Sequence, residues 1–178
     1  MKLVSKVFLS NFNLLKLPYK LTFAITYKCN SRCKTCGIWK RKTKNELSLE
    51  EIKEFAEKSR FFSWVNLTGG EPFLRKDLVS IAESFIESKD FYLMNLTTNG
   101  LLPDLIVEKV EEIISLKPPR LITVVSLDGY KELHDFIRGV EGSWEKAVET
   151  YRCLRELSKE KKNFQTFLGL TISPFNVG

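Results

Sequence analysis

Short apolar runs alternate with longer segments of helical period along this chain. Leu21 to Thr26 is rich in β-branched and aromatic residues and predicts a first strand. From Leu49 to Arg60 the apolar positions Ile52, Phe55 and Ala56 share one helical face, and Ser48 with Glu51 forms a capping box at its start. Trp64 to Leu67 predicts a second strand, and Leu78, Ile81, Ala82 and Phe85 mark the inner face of a second helix. Tyr92 to Leu96 predicts a third strand, closed by the turn dipeptide Asn99-Gly100. Pro103 opens a third helix with Ile106, Val110 and Ile113 on one side, and Pro118-Pro119 stops it. Leu121 to Ser126 is nearly all apolar, as strands of a buried parallel sheet are. A fourth helix, capped by Ser143, turns Ala147, Val148, Tyr151 and Leu154 inward, and Phe164 to Ile172 supplies a fifth strand.

Strand and helix in strict alternation imply an α/β fold with a parallel sheet and crossover helices. Ligands of such sheets gather at the carboxyl ends of the strands, and every unusual motif of this sequence falls just after a predicted strand. The 178 residues suffice for one domain. Residues 1–20 are expected to be an N-terminal extension and residues 21–178 the core. Lys, Ser and Asn interrupt the apolar positions before Tyr19, which argues against a signal peptide, and no apolar run reaches membrane-spanning length. The cytoplasm is therefore the expected location and no membrane partner is expected. The net charge of +6 includes a cluster at Lys34, Lys40, Arg41, Lys42 and Lys44. A solvated loop accounts for that cluster, and nucleic acid is not the expected partner.

Four cysteines without an export signal are expected to be reduced. Three of them, Cys29, Cys33 and Cys36, fall together after the first strand. Thiolates suit both iron–sulfur clusters and zinc. A four-iron cubane normally takes four cysteines, so three would leave one iron open to another molecule. Structural zinc would need a fourth ligand, for which Cys153 and His134 are the candidates, neither in a paired spacing. Cys153 reads as a small packing residue on its helix, and His134 as a loop-stabilising residue.

Cys-x-x-x-Cys-x-x-Cys, then Gly69-Gly70-Glu71-Pro72, Thr97-Thr98-Asn99-Gly100, Ser126-Leu127-Asp128-Gly129, His134-Asp135 and Arg138-Gly139, resemble the radical S-adenosylmethionine (radical SAM) superfamily. The motifs cover residues 21 to about 142, and the fifth strand with Asn176 is similar in style. The flavour is nearest the branch holding molybdenum-cofactor biosynthesis enzymes and peptide- and protein-modifying members. The resemblance implies a partial (β/α) barrel of parallel strands, and a 4Fe-4S cluster on Cys29, Cys33 and Cys36. It implies S-adenosylmethionine on the open iron, reductively cleaved to a 5′-deoxyadenosyl radical that takes a hydrogen atom from a substrate. That substrate would be a peptide, protein or small-molecule cofactor precursor, and a low-potential electron donor is required.

The same resemblance distributes roles. Gly69 and Gly70 let backbone approach the ligand, while Glu71 and the carbonyls near Pro72 accept from its ammonium group. Ser126 and Asp128, two residues apart in extended chain, are placed for ribose hydroxyls. The planar fork of Arg138 suits the methionine carboxylate. Thr97, Thr98 and Asn99 line the cavity. The family often has an aromatic or bulky residue before its last cluster cysteine; here it is Thr35, so Ile38 and Trp39 are expected to cover the cluster's rim. Six βα units are usual and this chain supplies five strands, so a truncated product, a missing C-terminal portion or a partner chain is expected. The alternative to all of this is an electron-transfer or structural metal protein using the cysteine loop alone.

Overall fold

The structure is a computed structural model that describes residues 3–177. Five strands, β1 (Lys20–Thr26), β2 (Trp64–Gly69), β3 (Leu93–Thr98), β4 (Arg120–Ser126) and β5 (Phe164–Gly169), form one parallel sheet in chain order. The helices are α1 (Leu3–Ser10), α2 (Leu49–Lys58), α3 (Leu78–Ile86), α4 (Pro103–Ser115), α5 (Lys131–Arg138) and α6 (Ser143–Glu160). Each crossover advances one strand in the same direction, which is the arrangement of a partial (β/α) barrel.

One face of the sheet packs on helices through the expected stripes. Leu78, Ile81, Ala82 and Phe85 of α3 and Ile106, Val110 and Ile113 of α4 are all buried. On α2, Ile52 and Ala56 are buried as expected, whereas Phe55 remains 36% exposed and lies against Phe23 and Phe85. On α6 the buried line runs Ala147, Thr150, Leu154 and Leu157, leaving Val148 and Tyr151 half-buried. The opposite face of the sheet is largely polar: Asn66, Thr68, Asn95, Thr97 and Ser126 are half-buried there beside Ile122 and Val124, and Asn95 Nδ2 donates to Asn66 Oδ1 at 2.7 Å. Hence β4 alternates buried and half-buried positions instead of being buried throughout. Its inner face looks into the barrel, where ligands rather than helices are accommodated.

Three local expectations are corrected. His134 lies on α5, a helix the sequence pattern did not announce, and is fully buried there. Ser143 does not cap α6: the cap is Gly142 in the left-handed region at φ 71°, and the acceptor is Asp135. Its carboxylate accepts from Gly142 N at 2.8 Å, Trp144 N at 2.8 Å and Ser143 Oγ at 2.7 Å, so the orphan amides are satisfied from the preceding helix. Cys153 is exposed on α6 and not packed.

Residues 3–10 of the N-terminal segment form α1, fixed by a buried cation. Lys6 is 6% exposed, and its Nζ donates to Phe61 O at 3.0 Å, Ser63 Oγ at 2.7 Å and Asp90 Oδ2 at 3.0 Å. Ser63 and Asp90 precede β2 and β3, so α1 is anchored at the amino ends of the strands, away from the site below. Among the described residues no helix is long and apolar enough to cross a membrane.

Candidate active site

The loop after β1 carries Cys29, Cys33 and Cys36, and all three line a cavity of about 240 Å³ at the carboxyl ends of the strands. The loop is held from across the sheet by the last turn of α5. Arg32 N donates to Arg138 O at 2.9 Å and Lys34 N to Ile137 O at 2.8 Å, using carbonyls that a helix end leaves free. Gly139 closes that turn at φ 65°, and a Cβ there would stand 2.6 Å from Arg32 O. The Arg-Gly pair thus positions the cysteine loop. N–H groups also approach the sulfurs: Ser31 N and Asn99 Nδ2 lie 3.5 and 3.9 Å from Cys29 Sγ, and Arg138 Nη1 lies 3.8 Å from Cys33 Sγ. Burial pushes the Cys29 thiol up, against the Ser31 amide and with a further push from the Glu71 carboxylate.

Gly69 and Gly70 border the cavity, yet their tightest neighbours are protein backbone. A Cβ on Gly69, whose φ is 127°, would meet Thr26 O at 2.2 Å, and one on Gly70 would meet Lys28 O at 2.1 Å. Gly70 N donates to Thr26 O at 2.7 Å and Glu71 N to Lys28 O at 2.8 Å, zipping β2 onto the start of the cysteine loop. Glu71 then turns away from the cavity. It is 1% exposed and accepts from Thr98 Oγ1 at 2.9 Å, Asn99 N at 2.7 Å and Phe73 N at 3.3 Å. Burial nonetheless raises its pKa to about 7, opposed by the Asn99, Thr98 and Phe73 donors and by Arg138. Pro72 opens a short 3-10 turn and is buried beside it. The structure therefore places Glu71 as a brace between β2 and β3, with Gly69, Gly70, Thr97, Thr98 and Asn99 on the cavity wall.

Asp128 and Arg138 meet in a nearly buried pair, Nη2 to Oδ2 at 2.8 Å. Asp128 Oδ1 also accepts from Thr171 N at 3.0 Å, and its amide donates to His134 Nδ1 at 3.0 Å. His134 so engaged carries its proton on Nε2, and burial followed by the charge of Arg138 lowers its pKa. Asn176 Nδ2 fastens the same turn, donating to Asp128 O at 3.0 Å and Thr171 O at 2.9 Å. Ser126, Asp128, Arg138 and Thr171 line the cavity, facing the cysteines. Thr35, Ile38 and Trp39 complete its rim, and Trp39 Nε1 donates to Cys33 O at 3.3 Å.

Several contributors carry no motif signal. Glu46 accepts from Thr26 Oγ1 at 3.0 Å and Tyr27 N at 2.5 Å, Asn30 Oδ1 accepts from Asn99 Nδ2 at 2.7 Å, and Arg75 reaches Ile25 O and Leu47 O. Only the Arg75-x-Asp77 spacing hints at any of them, through the ion pair at 2.8 Å.

The site suits a thiolate-held cluster and a polar ligand beside it. Three free, soft donors open onto one cavity, and two buried polar atoms on its wall, Ser31 Oγ and Arg138 Nε, have no partner within the protein. Neither Cys153 nor His134 lines it, and among the described residues no three Cys, His, Asp or Glu side chains are grouped to hold a single metal ion.

A sequence profile of the Radical SAM superfamily matches residues 23–175. The chain belongs to the radical SAM superfamily. Members use a 4Fe-4S cluster and S-adenosylmethionine. The chain is 32% identical over 168 residues to GTP 3′,8-cyclase of Haemophilus influenzae, covering 84% of this chain and 49% of that protein. It is 33% identical over 138 residues to Fe-coproporphyrin III synthase of Methanosarcina barkeri, covering 74% and 33%. It thus spans half or less of these curated relatives. In fold it is similar to Streptococcus suis SuiB, solved bound to S-adenosylmethionine, with a TM-score of 0.63, 18% identity, and 96% of this chain and 45% of that one covered. SuiB bound to its precursor peptide SuiA superposes with a TM-score of 0.65 at 20% identity, covering 90% and 35%.

Proposed function

We propose that Cys29, Cys33 and Cys36 hold a 4Fe-4S cluster whose open iron faces the cavity, and that S-adenosylmethionine occupies that cavity. The observation that carries this reading is that all three cysteines and the glycine, serine and arginine motifs line one cavity at the strand ends. When bound, the cluster and S-adenosylmethionine supply one-electron cleavage of the sulfonium to a 5′-deoxyadenosyl radical, which abstracts a hydrogen atom from the substrate.

The protein's own work is placement and shielding. Arg138 reaches Asp128 through Nη2 and leans on Cys33 through Nη1, which leaves Nε free for an anionic ligand group. Ser126 and Thr171, beside Asp128, offer a hydroxyl pair for ribose. Gly69 and Gly70 present backbone to the ligand where any side chain would collide with the end of β1 or the start of the cysteine loop. Glu71 acts behind this wall, fixing Thr98 and Asn99. Trp39 and Ile38 limit water at the cluster's rim.

The substrate class is a peptide, protein or cofactor precursor, in keeping with relatives named GTP 3′,8-cyclase and Fe-coproporphyrin III synthase and with a neighbour in fold solved bound to a precursor peptide. Since the chain spans about half of its curated relatives, substrate contacts are assigned largely to a further portion or partner chain. The isolated chain then binds the cluster yet turns over slowly. The deciding experiment is anaerobic iron and sulfide reconstitution, with the paramagnetic resonance spectrum of the reduced cluster recorded with and without S-adenosylmethionine. A spectrum that changes on addition, and is lost in Cys33→Ala, is expected. Zinc in place of iron, or a cluster blind to S-adenosylmethionine, defeats the reading.

A further inference from the structure

Beside the cavity, and sharing Cys33, Thr35, Cys36 and Trp39 with it, lies a wider concavity of about 630 Å³. Its remaining walls include Arg32, Lys34, Lys40, Phe136 and Phe175, and no carboxylate. The three cations are exposed, and among the described residues none of them is in an ion pair. Lys34 Nζ stands 4.4 Å from the centre of the Phe136 ring and Lys40 Nζ 5.1 Å from that of Trp39. Phe136 and Phe175 pack edge to face at 5.8 Å and are half-exposed.

The surrounding sequence sharpens the contrast. Eleven of the 28 basic residues and none of the 22 acidic ones lie in residues 1–45, where Glu46 is the first carboxylate to follow. The rest of the chain is net acidic. The positive field is therefore local to the cysteine loop and its flanks, which orients an approaching anionic partner toward that face. Aromatic side chains beside an arginine are also the composition of a protein-binding hot spot, and the lysines around them supply the field. A single-stranded nucleic acid would need open ring faces for stacking, and here Lys34 and Lys40 sit over the faces of Phe136 and Trp39.

We propose that this groove docks an acidic, low-potential one-electron carrier protein, seated where Cys33 and Cys36 form part of its floor. The inference rests on the radical SAM reading, which requires an electron at that position. One electron leaves the carrier's reduced centre and enters the cluster; no bond is made or broken and no proton moves.

The test uses the full chain and an acidic flavodoxin as probe. The second-order rate of cluster reduction by flavodoxin hydroquinone is measured by stopped flow for the native chain and Lys34→Glu/Lys40→Glu. A fall of about tenfold at about 50 mM salt, shrinking to within about twofold at about 500 mM, is expected from screening of a charge-steered encounter. At about 500 mM salt, where the altered field is screened, reduction by methyl viologen radical cation and the spectral response to S-adenosylmethionine are expected to stay unchanged. Because Lys34 stands between two cluster cysteines, the rate is also measured for Lys40→Gln, and oxidised flavodoxin is titrated onto the metal-free native and charge-reversed chains, a readout that needs no intact cluster. The same salt-dependent weakening is expected in both. A responsive cluster reduced by flavodoxin at the same rate in native and charge-reversed chains overturns the docking proposal alone. Salt-steep binding of single-stranded RNA that the lysine changes abolish, with flavodoxin indifferent, overturns it in favour of nucleic acid. Lysine-dependent flavodoxin binding by a chain whose cluster ignores S-adenosylmethionine leaves the docking surface standing and removes the catalytic reading.

Discussion

Glu71 is a motif residue that stands behind the cavity wall and braces two strands. Its carboxyl is sealed between β2 and β3 with a pKa raised to about 7 from an ordinary 4.5, because burial outweighs three donated hydrogen bonds. A carboxyl whose folded pKa is raised binds its proton more tightly in the folded chain, so its contribution is full below pH 4.5 and lost as pH rises through 7. The loss is on the order of 3 kcal/mol. Urea denaturation of the metal-free chain is expected to show stability falling between those values, and the fall should vanish in Glu71→Gln. His134 works in the opposite sense. Its pKa lies below the ordinary 6.5, so the folded state holds fewer protons than the unfolded one, and its contribution is lost as pH drops below 6.5. His134→Gln should remove that acid-side loss, and unchanged acid-side curves in the variant would show that the histidine is not held neutral. The motif around Glu71 was legible in the sequence. Its role as a brace was not, because the donors that occupy it arrive from β3, far along the chain.

At the level of elements, the strands and four of the helices follow from apolar spacing, since a stripe such as Leu78, Ile81, Ala82 and Phe85 has one way to be buried. Besides α1, which lies in the stretch expected only as an extension, two features escaped for a physical reason. α5 has only eight residues, and its apolar face is shared by His134 and Ile137, too short a pattern to separate from a loop. The start of α6 looked self-capped by Ser143, but Gly142 is left-handed and Asp135 does the capping across a turn. Asp135→Ala should therefore cost about 2 kcal/mol, more than an ordinary exposed cap, because three donors lose their acceptor together. Ser143→Ala should cost less; equal losses in thermal melts would return the cap to Ser143. Between β1 and β2 the tolerance is lower still. Gly70→Ala places a methyl group 2.1 Å from Lys28 O, where only backbone can yield. About 3 kcal/mol of stability should go with it, along with cluster incorporation, measured as bound iron per chain.

Across the whole molecule, function and attachment sit at opposite ends of the sheet. The carboxyl ends hold the cysteine loop, while Lys6 ties α1 to Ser63 and Asp90 at the amino ends. The outer edge is the remaining exposed feature: among the described residues no strand lies beyond β5, and Phe167, Leu168, Leu170 and Ile172 are exposed on it and just after it, Ile172 at 76%. A parallel edge with free backbone groups and apolar side chains is a template for pairing with another chain. The isolated chain should therefore self-associate, its apparent mass by light scattering rising with concentration. Edge lysines oppose such pairing, because bringing two charged edges together requires desolvating them. Leu170→Lys/Ile172→Lys should then restore a concentration-independent mass while leaving iron incorporation intact, since neither residue lines the cavity. A native chain that stays monomeric throughout would mean that the sheet's own curvature already shields β5. In that case the exposed apolar residues after it, and not the edge backbone, are the surface open to association.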